Sequence, residues 1–163
     1  MNNKQTESVE QQIGKLFKEK KITVACAESC TGGLVTGRLT EVSGSSEYVM
    51  GSVVSYTNDV KAAVLGVSRE ALDTYGAVSE LVAGQMASGV RKLIETDFGV
   101  SVTGIAGPDG GSAEKPVGLV YIGISGPGGT VVEKNIFKGN RSEIRESAVI
   151  KALSLLLQKA EQL

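Results

Sequence analysis

Short apolar runs of strand length alternate with helix-spaced apolar stripes along this chain, and the last two strand-like runs are joined by Gly126-Pro127-Gly128-Gly129. That order predicts an α/β fold, a layered α/β/α sandwich with a mixed sheet, because alternation builds a layered sheet and the terminal hairpin adds to it. The 163 residues suit a single domain with its own core, and the 41% apolar and 21% charged content is that of a globular chain.

Each element has its own signature. Val9, Ile13, Leu16 and Phe17 share one face of a helix expected over residues 5–20. Residues 22–27 form a short apolar run that predicts a strand. It leads through Thr31-Gly32-Gly33 into a helix marked by Leu34, Val35, Leu39 and Val42. Residues 48–56, with Val49, Val53 and Val54, read as a second strand, followed by a short helix over about 58–65. Leu81, Val82, Met86, Val90, Leu93 and Ile94 give a strong helical stripe after Ser79, which is placed as its N-cap. Residues 100–105 and 118–125 are strand candidates flanking a glycine-rich loop. The run 130–137 completes the hairpin, and a helix over about 141–157 turns Ile144, Ala148, Leu153 and Leu156 inward.

Composition removes several classes of function. Seventeen basic and eighteen acidic residues give a net charge of -1, without the bulk positive field of nonspecific nucleic-acid binding. The polar first 21 residues lack the apolar core of a secretory signal, and no segment has the apolar length to span a bilayer. A cytoplasmic protein with no membrane partner is expected, and in that reducing compartment Cys26 and Cys30 are expected as free thiols. With no histidine and two cysteines, an ordinary four-ligand zinc site is not expected. The missing histidine also removes Ser-His-Asp and Cys-His catalysis, so a base must be Lys, Tyr, Asp, Glu or water.

Four stretches carry candidate chemistry. In Ala27-Glu28-Ser29-Cys30-Thr31-Gly32-Gly33, Ser29 sits at the carboxyl end of a strand, where amides of the following helix start could act as an oxyanion hole. A simple helix cap is the alternative for Ser29, and Cys30 is a rival nucleophile. In Ser55-Tyr56-Thr57-Asn58-Asp59-Val60-Lys61, Tyr56 and Lys61 can converge on one site if a helix begins near Asn58. To act as a base near neutral pH, Lys61 would have to come down from about 10.4 to about 7; a solvated lysine is the alternative. The loop Thr103-Gly104-Ile105-Ala106-Gly107-Pro108-Asp109-Gly110-Gly111, continuing to Gly118, is longer than a turn requires. Its exposed amides suit a nucleotide or phosphate pocket, beside the alternative of a purely structural loop. Arg141, near a helix start, suits a phosphate grip with Arg145 supporting it one turn later, unless both are simply exposed.

Taken together, AESCTGG, VSYTNDVK, GAVSE, TGIAGPDGG with EKPVG, and FKGNR resemble the CinA C-terminal domain family, over about residues 11–157. Stand-alone members of that family include nicotinamide-nucleotide amidohydrolases, and the larger N-terminal domain of full-length CinA proteins is not seen in this sequence, so the free-standing form is expected. The resemblance implies a nucleophile at Ser29, a base at Lys61 and a supporting hydroxyl at Tyr56. It implies deamidation of nicotinamide mononucleotide to nicotinate mononucleotide and ammonia through an acyl-enzyme, with no metal or organic cofactor. Thr31, Gly32, Gly33, Thr103, Gly104, Gly107, Arg141 and Arg145 are the substrate-binding candidates. The expected partner is a pyridine mononucleotide, not nucleic acid, and a homo-oligomer is expected from the family and the apolar terminal helices. The competing reading is a catalytically silent nucleotide- or partner-binding module linked to competence or DNA damage.

Overall fold

The computed structural model describes residues 6–163; Gln5, the expected first residue of the opening helix, lies outside them. A five-stranded mixed sheet forms the middle layer, built from β1 (Val24–Glu28), β2 (Val49–Val54), β3 (Phe98–Gly104), β4 (Leu119–Gly126) and β5 (Gly129–Ile136) in the spatial order β2-β1-β3-β4-β5. The first three strands run parallel, and β4 and β5 are added antiparallel. In the hairpin Gly126 pairs with Gly129, so Pro127-Gly128 alone makes the turn, and both strands reach further into the glycine segment than the sequence suggests.

Six α-helices among the described residues cover the two faces: α1 (Val9–Lys20), α2 (Leu34–Thr40), α3 (Asn58–Leu65), α4 (Arg69–Tyr75), α5 (Glu80–Ile94) and α6 (Arg141–Glu161). Alternation along each strand divides the core. Val24, Cys26, Val100, Val102, Val120 and Ile122 pack with Ile13, Phe17, Val35, Leu39, Ile144, Ala148, Leu153 and Leu156 from α1, α2 and α6. Ala25 and Ala27 face the other way, onto Leu65, Leu72, Val82, Met86 and Val90 from α3, α4 and α5. The apolar stripes of the terminal helices, which suggest an oligomer in the sequence, are therefore buried in the chain's own core.

Small residues let α5 lie close to the sheet. A Cβ on Gly99 would collide with the Ala87 carbonyl oxygen, and the Ser101 hydroxyl donates to the Ala83 carbonyl at 2.6 Å. Local sequence sets the helix ends. Ser8 and Gln11 form a capping box that starts α1 at Val9, and Ser68, Ser79 and Asn140 cap α4, α5 and α6. Seven-residue α4 has no counterpart in the sequence reading, because Ala71 and Leu72 alone are buried and two adjacent residues make no period. No helix among the described residues is long and apolar enough to cross a membrane.

Candidate active site

The three parallel strands end at one edge of the sheet. Ser29 comes directly after β1 there, Ser55 directly after β2, and β3 closes on Thr103 and Gly104. Chain order reverses at β1, since α2 leads to β2 on one side and α3, α4 and α5 lead to β3 on the other. Such a switch point opens a crevice at the carboxyl ends of the strands. A cleft of about 290 Å³ lies there, lined among others by Ser29, Cys30, Tyr56, Lys61, Thr103 and Arg141.

Lys61 and Ser29 meet in it. Lys61 is one helical turn into α3, which Thr57 starts by accepting the Val60 amide, and it lies on the same buried face as Leu65. Its side chain is 1% exposed and its Nζ is 3.1 Å from Ser29 Oγ. Nζ also donates to the carbonyl oxygens of Ser55 at 2.7 Å and Tyr56 at 3.4 Å. Two carbonyls occupy two N–H groups, which leaves the third position of the nitrogen facing the serine. As an ammonium, Lys61 donates there; as a neutral amine, its lone pair accepts the Ser29 O–H. Burial lowers the Lys61 pKa from its ordinary value, against a smaller opposing influence of Cys30. No carboxylate among the described residues lies within ion-pair distance of Nζ to hold the charge. The solvated-lysine alternative does not describe this residue.

Cys30 also lines the cleft, but burial pushes its thiol up to about 11, so at pH 7 only on the order of one molecule in ten thousand carries the thiolate. Cys26, fully buried, is pushed up to about 12, and both thiols are free. What separates Ser29 from Cys30 is that the hydrogen bond of Lys61 Nζ goes to the serine hydroxyl and not to the thiol.

Other expected residues take different places. Tyr56 lines the cleft with its side chain 63% exposed, and it is the backbone carbonyl, not the hydroxyl, that meets Lys61. Thr103, Gly104 and Gly107 line the cleft, with the Thr103 hydroxyl donating to the Ala77 carbonyl at 2.9 Å. Arg141 lines it too and donates to the Gly107 carbonyl at 2.8 Å, which joins α6 to the loop after β3. Arg145 does not line it: its guanidinium donates to the carbonyls of Cys30 at 3.0 Å and Thr31 at 3.3 Å, holding the turn after β1. Thr31, Gly32 and Gly33 form that turn and are not among the cleft-lining residues. Gly33, at φ 108, takes a left-handed conformation that an L side chain would strain, as α2 begins.

Glu28 is the residue the sequence reading passes over. Its fully buried carboxylate accepts from the Thr31 hydroxyl at 2.7 Å, the Val35 amide at 2.8 Å, and the Thr36 amide and hydroxyl at 3.0 and 2.8 Å. The helix-start amides expected as an oxyanion hole are thus partly taken. Ser29's own amide donates to the Val102 carbonyl at 2.9 Å, the Cys30 amide donates to its own thiol, and Thr31 is fully buried outside the cleft lining. The signal for Glu28 is an acid just before a helix start, with Thr31 and Thr36 after it. Ala77 and Val78, from GAVSE, also line the cleft.

The family model of the CinA C-terminal domain matches residues 6–160. A CinA-like protein from Sulfurihydrogenibium sp. (strain YO3AOP1) is 53% identical over 137 residues, covering 84% of this chain and 34% of its own length. The competence/damage inducible protein CihA from Agrobacterium tumefaciens superposes with a TM-score of 0.88 at 44% identity, over 92% of this chain and 94% of that one. A CinA superfamily protein from Klebsiella pneumoniae 700603 superposes with a TM-score of 0.91 at 26% identity, over 95% and 97% of the two chains. The chain spans only 34% and 36% of the length of curated relatives from Sulfurihydrogenibium and Thermoanaerobacter. On these matches, this chain belongs to the CinA C-terminal domain family.

Proposed function

We propose that the protein is a serine amidohydrolase that deamidates nicotinamide mononucleotide to nicotinate mononucleotide and ammonia. The observation that carries this reading is the buried Lys61 Nζ, 3.1 Å from Ser29 Oγ in an open cleft. Neutral Lys61 takes the Ser29 proton as Oγ attacks the carboxamide carbon, and the resulting ammonium returns a proton to the leaving nitrogen as the C–N bond breaks. Water then attacks the acyl-serine with Lys61 again as base, releasing the nicotinate product and restoring the O–H. The backbone amide of Cys30, which lines the cleft, is the donor proposed for the oxygen that becomes negative in each tetrahedral intermediate; one such donor is worth about 3 kcal/mol.

The substrate is drawn from the family resemblance, and the cleft agrees with it in chemistry. Its size is near the lower end of ligand pockets, about 300 Å³. The Arg141 cation and the backbone-rich loop Gly104–Gly110 line it together with the serine–lysine pair, a combination that suits a small amide bearing a phosphate. The test is ammonia release by purified protein. Release from nicotinamide mononucleotide, accompanied by nicotinate mononucleotide, is expected; a protein that binds the nucleotide without turnover would instead support the silent binding module.

A further inference from the structure

Resting on the amidohydrolase reading, we infer that Asp109 sets the sugar specificity of the cleft by accepting the 2′- and 3′-hydroxyls of the ribose in its nucleotide substrate. Three charged side chains line the cleft: Lys61 beside the nucleophile, and Arg141 and Asp109 at the loop after β3. Asp109 is the only carboxylate among the lining residues; it is exposed, and it enters no ion pair among the described residues. Local structure fixes where it stands. A Cβ added at Gly107 or at Gly111 would collide with Val117, so the chain from one glycine to the other closes on that residue, with Asp109 at its midpoint. Arg141 holds the Gly107 carbonyl at 2.8 Å, two residues before Asp109. Two residues span at most about 7 Å, so the cation and the carboxylate stand about one sugar's breadth apart.

That pairing narrows the ligand. A phosphate offers acceptors and negative charge, so a carboxylate this near a phosphate grip weakens it unless the carboxylate has donors of its own to take. An ionised carboxylate only accepts, and on a nucleoside phosphate the donors next to the phosphate are the ribose hydroxyls. An acidic residue on a ribose hydroxyl recurs in nucleotide-binding α/β sheets, where the ligand also lies outside the carboxyl ends of the strands. Nζ of Lys61 already meets Ser29 Oγ, so Asp109 is not needed as the base. In the proposed substrate the carboxamide then lies at Ser29, the phosphate at Arg141 and the diol at Asp109, and the ribose held between them sets how far the carboxamide reaches.

The test compares ammonia release from nicotinamide mononucleotide and from its 2′,3′-dideoxy counterpart, in wild type and Asp109→Ala. Wild type should prefer the ribonucleotide about fivefold or more in kcat/KM, and Asp109→Ala should bring the two substrates within about twofold of each other. The change should fall on the ribonucleotide alone, with the dideoxy compound turned over equally by both proteins. Asp109→Ala lowering both substrates by one factor would make the carboxylate a partner of the cationic pyridinium ring and overturn the ribose assignment. Unchanged kinetics on both would overturn it too, leaving Asp109 a solvated rim residue, and so would a ribose preference that survives the substitution. Titration calorimetry with nicotinate mononucleotide and its 2′,3′-dideoxy form reads the same contact without turnover. A wild type that releases no ammonia but binds the ribonucleotide more tightly, by an advantage lost in Asp109→Ala, would sink the amidohydrolase reading and keep the ribose assignment. Turnover with a sugar preference independent of Asp109 would do the reverse. A protein that binds neither nucleotide would sink both.

Discussion

Two segments border the cleft and are held in different ways. The turn after β1 is fixed by side chains, with Glu28 buried beneath it from the end of β1 and Arg145 reaching it from α6. The loop between β3 and β4 is held mainly by its own backbone: Ile105 donates to Leu119, Gly118 to Ile105, and Ser112 to Lys115, at 2.8–2.9 Å. Residues 108–114 are exposed, with Lys115 tethered to the Tyr75 carbonyl beyond them. Reaction geometry tolerates little displacement, and under the proposed function the first segment suits that demand. Recognition of a ligand's polar groups by backbone amides and carbonyls asks for less, and the second segment is built accordingly. Substitutions in the turn should therefore act on kcat, and those in the loop and at Arg141 on KM.

The largest effect that would break this division is at the nucleophile. Ser29→Ala should lower kcat by about a thousandfold or more, while Cys30→Ala, removing a thiol held protonated by burial, should stay within a few-fold of wild type. The reverse result in an ammonia-release assay would move the chemistry to the thiol and make Ser29 a cap. Next comes Arg141, whose charge-assisted bonds are each worth about 1.5–3 kcal/mol. Arg141→Ala should raise KM for the nucleotide about tenfold or more with kcat little changed, and steady-state kinetics showing lost kcat at constant KM would erase the contrast with the turn. The smallest expected change is at Asp109, an exposed loop residue on the cleft rim. Asp109→Ala should alter stability by no more than about 0.5 kcal/mol by denaturant titration, with KM alone shifting. A large loss of stability would show the loop to be as firmly built as the turn.

The layered fold and most of its elements are legible in the sequence because helix and strand periods are local, whereas Ser29 and Lys61 are singled out by the family resemblance, since local sequence alone also fits a helix cap and a solvated lysine. Lys61 also carries a local sign of burial, four residues from Leu65 on one face of α3. What is not legible depends on how the backbone folds around Glu28 and Tyr56 and, for Arg145, on contacts distant in the chain. Arg145 reads as a second phosphate ligand because Arg141 is one turn away, yet its acceptors lie 115 and 114 residues earlier. The resemblance implies a supporting hydroxyl at Tyr56, whereas its carbonyl is the part that touches Lys61. Glu28 reads as a strand terminus, since four donors from Thr31, Val35 and Thr36 converge on it only after α2 has folded back over β1.

The proposed mechanism rests on Lys61 as the base, and the pH dependence of kcat in wild type and Lys61→Arg tests this directly. Burial lowers the Lys61 pKa below 10.5, so the neutral amine appears at lower pH than for a solvated lysine. Wild-type activity should rise with pH through that lowered value and then level off. Lys61→Arg keeps a positive charge but stays protonated throughout, so it should lose activity by orders of magnitude across the range, with the limb gone. A Lys61→Arg protein that is folded, turns over at a near-normal rate and keeps the same limb would contradict the base assignment.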